Sequence, residues 1–320
     1  MTTTATADGS EAIDSAAIRA FIDEFGERAT SLPPIAIVIA AYNEEGAIGQ
    51  VVEALPKTVA GLEVATIVVS DGAVDATAKE ARAAGALVCE AAVNRGQGAA
   101  LRLGYRLARE GGAQYIVTTD ADGQYNPAEI ESLMAPILAG QADFVTGSRT
   151  MGSEETKDPV RKLGVRVFAL TISVLTGQRI TDTTFGLRAM RSEVTGAVLL
   201  EQPQYQAAEL LIGVITHGFR VHERPATIHR RTVGKSKKGN NAFYALSFSK
   251  VVLGTWWRER QRRERGAGGS AGVPAAGAAD RLADGRLPDG VTVAGTGPSG
   301  ALTRSAGSPE SPDSRSAKST

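Results

Sequence analysis

The chain has 320 residues, 42% of them hydrophobic, and a formal net charge of zero. That is material for one large domain or two small ones with a sizeable core, and nucleic acid is not an expected partner. A single cysteine, Cys89, excludes a disulfide within the chain and fits a reducing, cytoplasmic setting. No stretch reaches the roughly 18 consecutive apolar residues of a membrane-spanning helix, and no apolar leader with basic flanks opens the sequence.

Residues 1–10 are rich in Thr and Ala and are expected to be disordered. From Glu11 to Arg28 the spacing predicts a helix, with Ile13, Ala17, Ile18, Phe21, Ile22 and Phe25 along one side. Pro33 and Pro34 break it, so 1–32 is read as an N-terminal helix and linker. The run Ile35–Ala40 then suits a parallel strand buried on both faces. Tyr42, Asn43 and Glu44 follow it, and a helix runs to about Leu55. A second strand, Ala65–Val69, ends at Ser70-Asp71-Gly72, and helical residues run from Asp75 to Ala84. Ala86–Val88 is a third short strand, buried enough to make Cys89 a structural thiol. Asn94–Gly98 leads into a helix through Ala108, and the strand Tyr115–Thr119 ends in Asp120-Ala121-Asp122-Gly123-Gln124.

This alternation predicts a doubly wound α/β sheet. In such sheets ligands bind beyond the carboxyl ends of the strands. Asn43 and Glu44, Asp71, and the pair Asp120 and Asp122 all fall at that edge. A dinucleotide fingerprint after the first strand and a phosphate-binding P-loop are both absent, which disfavours a dehydrogenase and a kinase of those types. Asp120 and Asp122 leave an extended backbone by the same face. Their mutual repulsion is relieved by a divalent cation, and hard cations prefer oxygen ligands. Gln124 extends that face with a neutral oxygen. Alone, the pattern is also compatible with an acidic turn after a strand.

The second half continues with a helix over Pro127–Ala139 and a strand, Asp143–Gly147, ending at Ser148-Arg149. Arg161 and Lys162 open an apolar helix over about Val165–Leu175, and Thr181–Arg188 is a polar turn carrying Asp182, Gly186 and Arg188. A helix over Gln206–Thr216 precedes a strand around Phe219–Glu223. From Arg220 to Arg265 there are thirteen Lys/Arg against three Asp/Glu, so this region attracts anions. Its loop His229–Gly239 holds Lys235, Ser236 and Lys237 between glycines that let backbone approach a phosphate. The helix Asn241–Trp257 either caps the core or lies in a membrane interface, with Trp256, Trp257 and the basic run Arg258–Arg265 toward anionic lipid. From Gly266 to the end the Gly/Ala/Ser/Pro composition predicts a disordered tail.

Six motifs in order carry a resemblance: Ala41-Tyr42-Asn43-Glu44, Ser70-Asp71-Gly72-Ala73-Val74-Asp75, Asp120-Ala121-Asp122-Gly123-Gln124, Gly147-Ser148-Arg149, Asp182–Arg188 and Gly234-Lys235-Ser236-Lys237. Over residues 34–257 the chain resembles family-2 glycosyltransferases of the GT-A fold, and within them the dolichyl- or polyprenyl-phosphate mannosyltransferase branch. The resemblance implies a GT-A-type mixed sheet over 33–265. It implies an inverting hexosyltransferase that uses Mg²⁺ or Mn²⁺, takes GDP-mannose or UDP-glucose as donor, and acts on a polyprenyl phosphate at the inner membrane face. Tyr42, Asn43, Glu44 and Asp71 would then contact the nucleoside. Asp120, Asp122 and Gln124 would hold the metal on the diphosphate. Arg149, Arg161, Arg188 and Lys237 would surround the sugar-phosphate junction together with Asp182, Lys235 and Ser236, and Asp122, Arg149 and Arg188 would carry the catalysis. Ser70, Ala73 and Gln97 depart from the family pattern. Two other readings remain open at this point: transfer to a soluble or glycan hydroxyl, and a non-catalytic module that binds a nucleotide sugar or a membrane.

Overall fold

The structure is a computed structural model that describes residues 7–155, 159–202, 204–230 and 241–268. Lys235, Ser236, Lys237 and the tail from 269 lie outside the described residues. The chain begins with α1 (Ala7–Phe25) and α2 (Glu27–Thr30), then β1 (Ile35–Ala41), α3 (Ile48–Ala54), β2 (Thr58–Val59) and β3 (Leu62–Asp71). Next come α4 (Thr77–Ala83), β4 (Leu87–Ala91), α5 (Gln97–Glu110), β5 (Tyr115–Asp120) and α6 (Glu129–Leu138). The remainder is β6 (Phe144–Glu154), α7 (Pro159–Thr176), β7 (Arg188–Arg191), α8 (Ser192–Ala197), α9 (Gln206–Thr216), β8 (Val221–Ile228) and α10 (Asn241–Gly268).

The strands form one mixed sheet in the order β2-β3-β1-β5-β7-β6-β8, with β4 on β3. β1 pairs in parallel with β3 and β5, and β3 with β4. The direction of crossover reverses between β1 and β5, which opens a crevice at their carboxyl ends. Alternation along β1 shows why its sequence is apolar throughout. Ile35, Ile37 and Ile39 join the core on one face, while Ala36 and Val38 join the core on the other. Cys89 is buried in the second of these cores, and burial pushes its thiol up to about 12.

Several elements differ from the expected ones. The Thr181–Arg188 turn leads into a strand, β7, that pairs antiparallel with both β5 and β6. Four residues, two of them arginine, carry no alternation long enough to reveal a strand; pairing on both sides holds it. β6 runs past Arg149 to Glu154 because β8 supports it through a register shift between Ser148 and Ser153. The N-terminal helix begins at Ala7, inside the segment expected to be disordered, because Ala17, Ile18 and Phe21 give it an anchored face.

α10 does not stop at the basic run but continues through it to Gly268. The expectation that Arg258–Arg265 rests on anionic lipid is corrected for two of its residues. Arg258 pairs with Glu201 and with fully buried Glu209 at 2.7 and 2.6 Å. Arg262 pairs with Glu201 and Glu259 at 2.7 and 3.0 Å. Arg258 thereby ties α10 to α9, and both arginines reach Glu201. Phe248 and Val252 are buried in the core, and Trp256 Nε1 donates to the Leu175 carbonyl at 2.9 Å, so α10 packs on α7. The face of α7 opposite its buried Val165, Ala169 and Ile172 is apolar and uncovered. Leu163, Val167, Leu170 and Val174 fall in one stripe there, 63%, 51%, 66% and 74% exposed. Leu253 and Trp257 leave a second, shorter apolar strip on α10.

Candidate active site

The site is built from chain ends that gather at the β1/β5 crevice. After β1, Asn43 takes a left-handed backbone, φ 51°, and its side-chain oxygen accepts from Val74 N at 3.0 Å. Glu44 N donates to Thr77 Oγ1 at 2.8 Å. These bonds tie the loop after β1 to the loop after β3, with Tyr42 partly exposed beside them. Asp71, the last residue of β3, is buried. Its Oδ2 accepts from the backbone N–H groups of Arg95 and Gly96 at 2.7 and 2.8 Å. Burial is the larger influence and raises its pKa against the pull of Arg95 and these amides.

Asp120 closes β5, and Asp122 lies in the turn after it. Asp120 Oδ1 accepts from the Gln97 side-chain amide at 3.1 Å, and Asp122 Oδ1 accepts from Gln124 N at 3.1 Å. A Cβ placed on Gly186 would lie 2.6 Å from Asp120 Oδ2 and 2.7 Å from Tyr125 Oη. Only glycine leaves that carboxylate its position. Among the described residues no cluster of three or more His, Cys, Asp or Glu could hold a metal. Mg²⁺ is commonly held by one or two carboxylates together with substrate phosphates. Two hard carboxylates at a strand end fit an ion of that kind.

Gln124 meets His229 twice: its side-chain amide nitrogen donates to the His229 carbonyl at 2.9 Å, and its main-chain carbonyl accepts from His229 N at 2.9 Å. The turn after β5 is thereby fastened to the point where the chain enters the basic loop.

Across the crevice lies a buried ionic cluster. Arg149 Nε donates to Asp182 Oδ2 at 2.7 Å, and Nη2 donates to Thr184 Oγ1 at 3.0 Å. Its Nη1 lies 3.7 Å from Glu154 Oε1. Burial disfavours the Arg149 charge, but Asp182, with Tyr125 and Glu154, outweighs it and raises the pKa. Glu223 accepts from the backbone N–H groups of Thr181 and Asp182, and burial raises its pKa. Arg188 is buried in β7 and donates from Nε to the Phe185 carbonyl at 2.7 Å. Arg161 is the third residue of α7. Tyr125, Glu154 and Glu223 were not singled out from sequence. Tyr125 accepts from Gly186 N at 2.8 Å, and its place one residue beyond Gln124 was the available signal.

The mixed sheet, with acidic residues at strand ends beside its crossover-reversal crevice, has the GT-A architecture. The model of glycosyl transferase family 2 matches residues 36–199, and the chain belongs to that family. It is similar to the dolichyl-phosphate hexose transferase of Haloferax volcanii, 33% identical over 63% of this chain and 86% of that protein. It is also similar to the polyprenol monophosphomannose synthase of Mycolicibacterium smegmatis, 31% identical over 72% of this chain and 89% of that protein. Among solved structures, glucosyl-3-phosphoglycerate synthase from Mycobacterium tuberculosis shares the fold, with a TM-score of 0.56 and 20% identity over 81% of this chain and 85% of that one. That enzyme has been solved with Mn²⁺ and uridine diphosphate, and with Mg²⁺ and uridine diphosphate. The chain is an enzyme, a family-2 glycosyltransferase.

Proposed function

We propose that this enzyme transfers a hexose from a nucleotide sugar, GDP-mannose or UDP-glucose, to a polyprenyl phosphate at a membrane surface. The observation that carries the acceptor class is the uncovered stripe Leu163, Val167, Leu170 and Val174 on α7. Lys162 and Arg166 flank it, and α7 contains no acidic residue. Apolar side chains with basic neighbours suit the interface of an anionic membrane, where a polyprenyl phosphate resides. A soluble acceptor would give no reason for such a face. The names of the relatives point to the same acceptor class.

In this reading Tyr42, Asn43, Glu44 and Asp71 hold the nucleoside, and Asp120 and Asp122 hold Mg²⁺ or Mn²⁺ against the diphosphate. A bound divalent ion supplies Lewis-acid stabilisation of the leaving diphosphate. An oxygen of the acceptor phosphate forms a bond to the anomeric carbon as the carbon–oxygen bond to the diphosphate breaks. No general base is needed, since a monophosphate with a second pKa of about 6 is mostly dianionic at neutral pH. Arg161 and Arg188 contribute positive potential on the acceptor side, and Arg149 lines it as a donor of hydrogen bonds. Asp182 orients Arg149, and Lys235, Ser236 and Lys237 meet the lipid phosphate.

The test is incubation of the protein with Mn²⁺ and radiolabelled sugar nucleotides, with and without polyprenyl phosphate. Label that enters the organic phase only with the lipid is expected. Label in a water-soluble product would overturn the acceptor class, and nucleotide binding without transfer would overturn catalysis.

A further inference from the structure

The N-terminal helix α1 lies outside the region that the family model matches, which begins at residue 36. It is nonetheless joined to the candidate donor pocket through a single arginine. Arg95 Nη1 donates to Asp14 Oδ1 at 2.5 Å. The same nitrogen lies 3.4 Å from the Ser10 carbonyl and 3.4 Å from Ser10 Oγ. Ser10 and Asp14 are four residues apart, so they share one face of α1. From the other side Arg95 Nε faces Asp71 Oδ1 at 3.4 Å, while the backbone N–H of Arg95 is one of the two that hold Asp71 Oδ2. The Arg95 side chain is only 6% exposed and that of Asp71 3%. One guanidinium is therefore clamped between a carboxylate of α1 and a carboxylate of the pocket.

The loop carrying Arg95 has little room. A Cβ on Gly72 would lie 2.3 Å from Asn94 N, so the loop rests directly on the backbone that follows Asp71. A shift of Arg95 is thus passed to Asn94, Gly96 and the Asp71 carboxylate. α1 is held independently of this contact. Phe21, Ile18 and Ala17 are buried, and Glu24 forms a two-pronged pair with Arg82 at 2.7 and 2.9 Å, toward the far end of the helix. The anchor and the clamp are separable.

We infer that α1 is a positioning element of the donor site: Asp14, acting through Arg95, fixes the Asn94–Gly96 loop and the carboxylate of Asp71 in the orientation that receives the nucleoside. Buried ionic contacts depend strongly on both partners. Without the Asp14 charge, Arg95 is balanced by Asp71 alone and swings toward it, which occupies the carboxylate. The inference rests on Asp71 being a donor ligand.

The experiment compares Asp14→Asn with Glu24→Gln in the full chain. Binding of UDP and of GDP with Mn²⁺ is measured by calorimetry, and KM for donor and acceptor by steady-state transfer. Asp14→Asn is expected to weaken nucleoside diphosphate binding about fivefold or more and to raise the donor KM equally. The acceptor KM and kcat should change little. Glu24→Gln should lower thermal stability and leave nucleotide affinity unchanged. Asp14→Asn binding as tightly as the parent, or both variants losing affinity equally, would overturn the inference, since α1 would then be only a structural support. Asp14→Glu should restore most of the affinity; failure to do so while Asp14→Asn is impaired would show that size rather than charge matters, and would also overturn it. If the parent itself binds no nucleoside diphosphate, it is the assignment of Asp71 that fails.

Discussion

The α7 stripe gives a quantitative prediction. Leu170 and Val174 are 66% and 74% exposed. Taking a Leu or Val side chain fully out of water contributes about 1.5–3 kcal/mol. With about two-thirds of each still to be buried, insertion yields about 1–2 kcal/mol per residue. Leu170→Gln with Val174→Gln should therefore remove about 2–4 kcal/mol of vesicle binding, at least a thirtyfold loss. Both side chains face solvent, so stability should stay within about 0.5 kcal/mol. Co-sedimentation with phosphatidylglycerol/phosphatidylcholine vesicles reads the loss, and calorimetric nucleotide binding serves as control. Lys162 and Arg166 add roughly 1 kcal/mol each near an anionic surface, which salt screens, so binding of the parent should fall as salt rises. A double variant that sediments with vesicles as well as the parent would refute the reasoning.

Gly186→Ala should abolish most transfer while the protein stays folded, because the new methyl occupies the space of Asp120 Oδ2; circular dichroism and kcat at saturating Mn²⁺ check this. Asp122→Ala and EDTA should each abolish turnover, and activity that survives the chelator would exclude the metal role. Asp182→Asn leaves buried Arg149 short of its main counter-charge, a loss of about 3–5 kcal/mol. The melting temperature should then fall by about 10 °C. At Asp143 burial acts to raise the pKa, but the hydrogen bonds and charge of Arg220 outweigh it, so the value lies below 3.8. The stability this contributes is present above pH 3.8 and is lost as pH falls through the folded-state pKa, so Asp143→Asn should melt lower than the parent near neutral pH, with the gap closing below pH 3.8.

The parallel half of the sheet was legible because its signals are local. Ile35–Ala41 is apolar at every position, and Asp71 and Asp120 sit where buried strands run out. What escaped depends on contacts distant in sequence. β7 exists because β5 and β6 flank it, and Glu223 enters the site only because β8 lies beside β6. A basic run has no direction in sequence either. Arg258 and Arg262 read as lipid-facing until Glu201, Glu209 and Glu259 are brought against them. The α7 stripe was hidden for the opposite reason: apolar residues occur on several sides of this helix, so its sequence does not reveal which side remains uncovered.

These pairings bear on how two phosphorylated substrates can share one site. Their like charges repel, and the protein must offset them with cations. Arg149 is already balanced by Asp182 and Glu154, and Arg258 and Arg262 by three glutamates. Such arginines supply little net positive charge. By sequence, the segment from Arg230 to Lys238 contributes five further cations. The paired bonds between Gln124 and His229 fasten the entrance of that segment to the turn bearing Asp122. On this argument Gln124 serves the site by tethering a cationic loop, and Gln124→Ala should raise the acceptor KM more than it weakens Mn²⁺-dependent nucleotide binding. A selective loss of metal affinity in that variant would instead return Gln124 to the metal.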